Sequence, residues 1–84
     1  MQRRTTGLTW HEAGDDLVVL DLEEAVYLRL NASGRVLWDR LSKPSSTADL
    51  EQALVDEFGI AVSQAGDDVA DFIAQLTTRR LLEA

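Results

Sequence analysis

The chain has 84 residues, 45% of them apolar, no cysteine and a formal net charge of −7. That is room for one domain, residues 1–84, whose small core buries about 60 to 65% of the surface its unfolded form exposes. It leaves no disulfide or thiolate metal site, and no apolar run nears the roughly 20 residues that span a bilayer; eight basic against 15 acidic side chains are the wrong balance for gripping phosphates, which disfavours nucleic acid and anionic membrane and suits a basic or neutral partner.

Met1 to Gly7 carries Arg3 and Arg4 but leads into no apolar signal segment, so it reads as a frayed terminus and the chain as cytoplasmic. Thr5 to Glu12 alternates, with Leu8 and Trp10 on one side and Thr9 and His11 on the other, as a half-buried strand does. Ala13-Gly14-Asp15-Asp16 is a turn, and Leu17–Leu22 and Val26–Leu30 are a second and a third strand. A two-residue loop at Glu23-Glu24 would set Asp21 on the face of Val26, Leu28 and Leu30. A three-residue loop, Glu23-Glu24-Ala25, instead sets Val18, Leu20 and Leu22 there and leaves Leu17, Val19, Asp21, Tyr27 and Arg29 outside. The second choice separates apolar from polar cleanly and is the expected register; it asks Ala25 to take a left-handed conformation that glycine adopts at less cost.

Asn31 is placed to cap a first helix whose stripe is Gly34, Leu37, Trp38 and Leu41. After the break at Lys43-Pro44-Ser45-Ser46, Ser46 or Thr47 caps a second, with Asp49 and Glu51 in its first turn and Leu50, Ala53, Leu54 and Phe58 facing inward. Gly59 stops it, Ile60 and Val62 turn inward, and Ser63 is expected to cap a third helix with the stripe Val69, Phe72, Ile73 and Leu76. Arg79 and Arg80 follow, and Leu81 and Leu82 fold back on the core. Three strands in a meander followed by three helices make an α+β domain.

The chemistry of catalysis cannot be assembled from these parts. There is one histidine, His11, on a strand, no cysteine nucleophile and no glycine-rich phosphate loop, so no enzyme, cofactor or metal is expected. Asp15/Asp16, Glu23/Glu24 and Asp67/Asp68 lie in turns and an early helical turn, where acids stabilise local structure anyway.

The run LDLEEAVYLRLNASGRVLW, from Leu20 to Trp38, resembles PqqD-like domains, the precursor-peptide recognition elements, in which a strand ending Leu-Asn leads into a helix carrying Gly and then Trp. Leu30, Asn31, Gly34 and Trp38 occupy those places. Thr47 with Leu50, Asp68-Val69 with Phe72 and Leu76, and Leu81-Leu82-Glu83 continue the pattern along nearly the whole chain. It departs at Ala25, where a hairpin glycine is usual, and at Arg80, where a glycine often precedes the terminal Leu. The resemblance implies a winged-helix-like fold that binds the leader segment of a ribosomally made peptide as an added strand beside the third strand, held on its other side by the third helix. It is most similar to the stand-alone leader-binding half of a split lasso-peptide B protein, which implies a Tyr-x-x-Pro leader motif, a separate cysteine protease and a macrolactam-forming cyclase as partners. An adaptor of the pyrroloquinoline-quinone type, or one serving a radical-SAM enzyme, is the near alternative.

On that reading the edge from Val26 through Tyr27, Leu28 and Arg29 to Leu30 supplies main-chain hydrogen bonds to the guest. Leu28, Leu30, Phe72 and Leu76 either line an apolar pocket or pack as plain core, and Asp68, Asp71 and Gln75 flank the groove. Two other classes stay open: an acidic winged-helix transcriptional regulator, whose reading helix would carry Asp67, Asp68 and Asp71 towards phosphates, and a subunit whose edge pairs with its own copy.

Overall fold

A computed structural model describes residues 1–83. The elements are β1 (Gln2–Arg3), β2 (Leu8–Ala13), β3 (Asp16–Asp21), β4 (Val26–Leu30), α1 (Ala32–Arg40), α2 (Thr47–Phe58), α3 (Val62–Thr78) and β5 (Leu82–Glu83). The three-stranded sheet has the order β2-β3-β4, antiparallel throughout, and the three helices follow it as the alternation and caps predict. A second, two-stranded sheet pairs β1 with β5.

The hairpin between β3 and β4 does not take the expected register. Asp21 pairs with Val26, Val19 with Leu28 and Leu17 with Leu30. The inner face therefore carries Leu17, Val19, Leu28 and Leu30, all buried, together with Asp21, which is 4% exposed. Val18 and Leu20 lie on the outer face, and Leu22 is in the turn at 65% exposure. Separating apolar from polar residues gives the wrong answer because Asp21 is not a bare charge in the core. Arg4 Nη2 donates to Asp21 Oδ1 at 2.7 Å, and the amides of Glu23 and Glu24 donate to the same oxygen at 3.0 and 3.3 Å. A buried carboxylate so partnered is tolerated, whereas an unpaired one is not. Ala25 does take the left-handed conformation, at φ 56°.

That arginine belongs to a segment which is ordered rather than frayed. The Arg3 amide donates to the Leu41 carbonyl and the Arg4 amide to the Leu81 carbonyl, both at 2.8 Å. The Arg3 guanidinium lies 4.3 Å from the Trp10 ring centre and 5.2 Å from that of Trp38, and donates to the Trp38 carbonyl at 2.7 Å. Trp10 meets Trp38 edge to face at 5.5 Å, so cation and ring geometries add to the burial of Trp38. Burial draws the Arg3 guanidinium below its ordinary value, and the nearby Asp39 acts the other way.

Leu37, Trp38 and Leu41 of the α1 region, Leu50 and Leu54 of α2, and Ala65, Val69, Phe72 and Leu76 of α3 close over the inner face of the sheet with Leu81. The Asn31 side chain accepts from the Gly34 amide at 2.9 Å, and Ser46 with Asp49 forms a reciprocal capping box. Gly34 sits where α1 crosses β4, and a Cβ there would stand 3.2 Å from Leu30 Cβ. Gly59 ends α2 at φ 64°. Three expectations for the α2–α3 connection fail. Phe58, on the last residue of α2, is 40% exposed, and Val62 is 68% exposed because it begins α3 rather than turning inward. Ala61 occupies the cap position with no side-chain bond, so Ser63 is already inside the helix.

Burial pushes the Asp21 carboxyl up, but the bonds from Arg4, Glu24 and Glu23 and the charge of Arg4 outweigh it and hold the group below the usual carboxylate range. Its folded value is thus below its unfolded one, near about 3.9, so its stabilisation is present above that pH and disappears as pH falls through the folded value. Urea unfolding across acid pH is expected to show stability falling below about pH 4, with Asp21→Asn less stable at neutral pH and flatter in that window. Ala25→Gly is expected to raise stability by about 0.5 to 1 kcal/mol, since it relieves a left-handed alanine at an exposed turn; thermal unfolding measures it.

Candidate functional site

Among the described residues β4 pairs with β3 on one side and with no strand on the other. Its free side faces α3, which runs the opposite way, so that the Leu30 end of the strand lies by Asp68, Asp71, Phe72 and Gln75 and the Val26 end lies by Thr78, Arg79 and Arg80. At the Leu30 end are two open hollows of about 240 and 340 Å³. Asn31, Ser33, Asp68, Asp71, Phe72 and Gln75 line the first; Asp16, Arg29, Leu30, Asn31, Gly34, Phe72 and Gln75 line the second. At the Val26 end another, about 370 Å³, lies among Glu24, Val26, Thr78, Arg79 and Arg80. Beside it a crevice of about 10 Å³ opens between Val19, Val26, Tyr27, Leu28 and Leu81, with Asp21 and Arg79 on its walls, room for about one water.

The local sequence explains the layout. The turn from β4 into α1 takes a single residue, Asn31, because its side chain caps the helix while the chain is still extended. At α3 the stripe Ala65, Val69, Phe72 and Leu76 is buried, and Asp68, Asp71 and Gln75 lie on the flank beside it at the spacing that puts them on one side. Gln64 donates to Asp68 Oδ1 at 2.9 Å.

The predicted site residues separate into three groups. Asp68, Asp71, Phe72 and Gln75 come together on the helix wall, with Leu30 across from them. Leu28, Leu30, Phe72 and Leu76 are all core residues, at 6% exposure or less, and of these Leu76 borders none of the hollows described above. Val26 is half out of the core at 45% exposure, and Tyr27 and Arg29 point to the outer face of the sheet, where Arg29 Nε donates to Asp16 Oδ2 at 2.7 Å. Sequence reasoning missed the Val26 end, where Asp21, Arg79, Arg80 and Leu81 gather. The signal that could have found it is Arg80 standing where a glycine often precedes the terminal Leu: its backbone is left-handed there, φ 58°, and the chain turns so that Leu81 is buried.

Because Phe72 is core, Phe72→Ala is expected to cost about 3 kcal/mol in urea unfolding, a large share of the stability of a domain this size. Gln75→Ala, which removes an exposed side chain from the same wall, is expected to change stability by less than about 0.5 kcal/mol. Any loss of binding it causes therefore belongs to the groove.

The family model for coenzyme PQQ synthesis protein D (PqqD) matches residues 16–82. Two solved structures share the fold. One, described as TbiB1 in complex with the TbiA(beta) leader peptide, is 24% identical over 100% of this chain and 96% of that one, with a TM-score of 0.84. The other, described as a lasso peptide synthetase B1 complexed with the leader peptide, is 22% identical over 95% of this chain and 94% of that one, at 0.78. No curated protein sequence matches the chain.

Proposed function

The chain belongs to the PqqD family, and on that premise we propose that it is a non-catalytic adaptor that binds the leader segment of a ribosomally made precursor peptide by strand addition. The observation that carries this reading is the unpaired edge of β4 set across a groove from α3. An added strand takes its affinity from main-chain hydrogen bonds and its selectivity from alternate side chains. Here the inward ones would lie against Val26, Leu28 and Leu30 on one side and Phe72 and Gln75 on the other, with Asp68 and Asp71 accepting basic or polar groups. The outward ones would lie beside Tyr27 and Arg29.

Both structures of the same fold hold a leader peptide, and the one described as a lasso peptide synthetase B1 supports a lasso-type leader over one for a radical-SAM enzyme. On that reading the adaptor works in the cytoplasm, needs no cofactor, and hands its guest to a separate leader protease and cyclase. A Tyr-x-x-Pro leader motif would bring one aromatic ring to the groove. The crevice beside Val26 is too small for a ring as it stands, so an aromatic guest enters by widening it, or occupies the open hollows instead.

Titration with the leader of the precursor encoded beside this chain is expected to give saturable one-to-one binding in calorimetry. Amide exchange then reads the mode. Alternate amides of Val26–Leu30 exchange fast in the free protein, since an edge strand leaves every second one unpaired, and are protected when the leader binds. Binding without that protection would refute strand addition, and no binding to the neighbouring leader would refute the adaptor.

A further inference from the structure

We propose that Arg79 and Arg80 form a cationic subsite at the Val26 end of the groove that takes an acidic residue of the guest, so that the adaptor reads the charge order of its leader as well as its apolar side chains. The inference rests on the strand-addition reading above. In a chain with eight basic residues, Arg3 is stacked on Trp10 and Trp38, and Arg4, Arg29 and Arg35 are paired with Asp21, Asp16 and Glu12. Of the other four, Arg40 and Lys43 are exposed and unpaired too but lie beside the start of α2, away from β4, whereas Arg79 and Arg80 are exposed, adjacent and in no ion pair among the described residues. Both line the hollow beside Val26, and Arg79 also borders the crevice. Glu24 lines the same hollow without closing on either guanidinium to ion-pair distance.

A structural role accounts for only part of this. Arg79 follows α3 directly, where a cation favours the helix dipole. Arg80 lies beyond the helix in a left-handed conformation, at φ 58°, where glycine would cost less. What it does for the fold it does through its backbone: its amide donates to the Thr77 carbonyl at 3.1 Å, and its carbonyl accepts from Arg4 Nη1 at 3.2 Å. Its side chain makes no hydrogen bond or ion pair among the described residues. The opposite end of the groove carries Asp71 and Asp68, eight and eleven residues before Arg79, or roughly 12 to 16 Å at the helical rise. On an extended guest that spacing is about four to five residues. The favoured leader thus carries an acidic residue about that far from a basic or polar one.

A displayed library of short random peptides, selected on the purified full chain, tests this. The parent is expected to enrich Asp or Glu at one position by about threefold, the scale of a solvent-exposed ion pair, beside its apolar preferences. Arg79→Glu/Arg80→Glu is expected to enrich Lys or Arg at that position and keep the apolar preferences. Arg80→Gly, which melts at or above the parent temperature if its side chain has no role in the fold, is expected to weaken the acidic preference. The inference is overturned if the double variant selects the same charges as the parent, if apolar preferences appear without an acidic one, or if Arg80→Gly leaves the acidic preference intact. Failure of the parent to enrich any peptide would defeat strand addition itself, an outcome distinct from enrichment without charge order.

Discussion

The contact on which the rest depends is the one between Arg4 and Asp21. Side chains alternate across a strand, so a slip of one position exchanges the whole inner and outer sets of a hairpin. With Asp21 inside, the inner set is Leu17 and Val19; with it outside, the set would be Val18 and Leu20. Both are apolar and of similar size, so burial area alone does not choose between them. The choice is made by whether an acid at the end of the strand can be satisfied, and Arg4 with the amides of Glu23 and Glu24 satisfies one of its oxygens.

The same arginine explains why the terminal segments are ordered in so small a domain. Gln2–Arg3 pairs with Leu82–Glu83 and Arg4 reaches the Leu81 and Arg80 region, so the two ends of the chain hold one another across the core. Arg3, between two tryptophans, adds a second attachment at the point where Trp38 anchors α1. These contacts position the end of α3, and with it Arg79 and Arg80, beside the start of β4. The groove is therefore set by the ends of the chain as much as by the strand and helix that form its walls.

An edge strand invites pairing with any other chain, and proteins that keep one usually guard it. Here β4 is short, Arg29 is paired with Asp16 on its outer face, and the chain carries a net charge of −7 that opposes self-association. The core residues behind the edge, Leu28, Leu30 and Phe72, are close to fully buried, so on the proposed reading any widening of the groove for a guest displaces core side chains. On the proposed reading, selectivity is left to residues that the core does not need, on the flank of α3 and beyond its end.

Much of this was legible from the residues alone, because it rests on local chemistry. Asn31 before an apolar stripe, Ser46 with Asp49, and Gly59 each specify a helix end through bonds to neighbours in the chain, and the periodic residues of the three helices say which side faces inward. The helix flank with Asp68, Asp71, Phe72 and Gln75 followed from that periodicity together with the family resemblance. The register of the hairpin, the order of the first residues and the Val26 end of the groove were decided only in three dimensions. The first two depend on Arg4 and Arg3 meeting groups far away in the chain, and the third on the pairing of the chain ends that brings Arg79 and Arg80 beside β4; a charged side chain carries no periodic signal of its partner. Asp21 reads as an outward acid until Arg4 stands beside it, because the cost of burying a charge belongs to the pair and not to either residue.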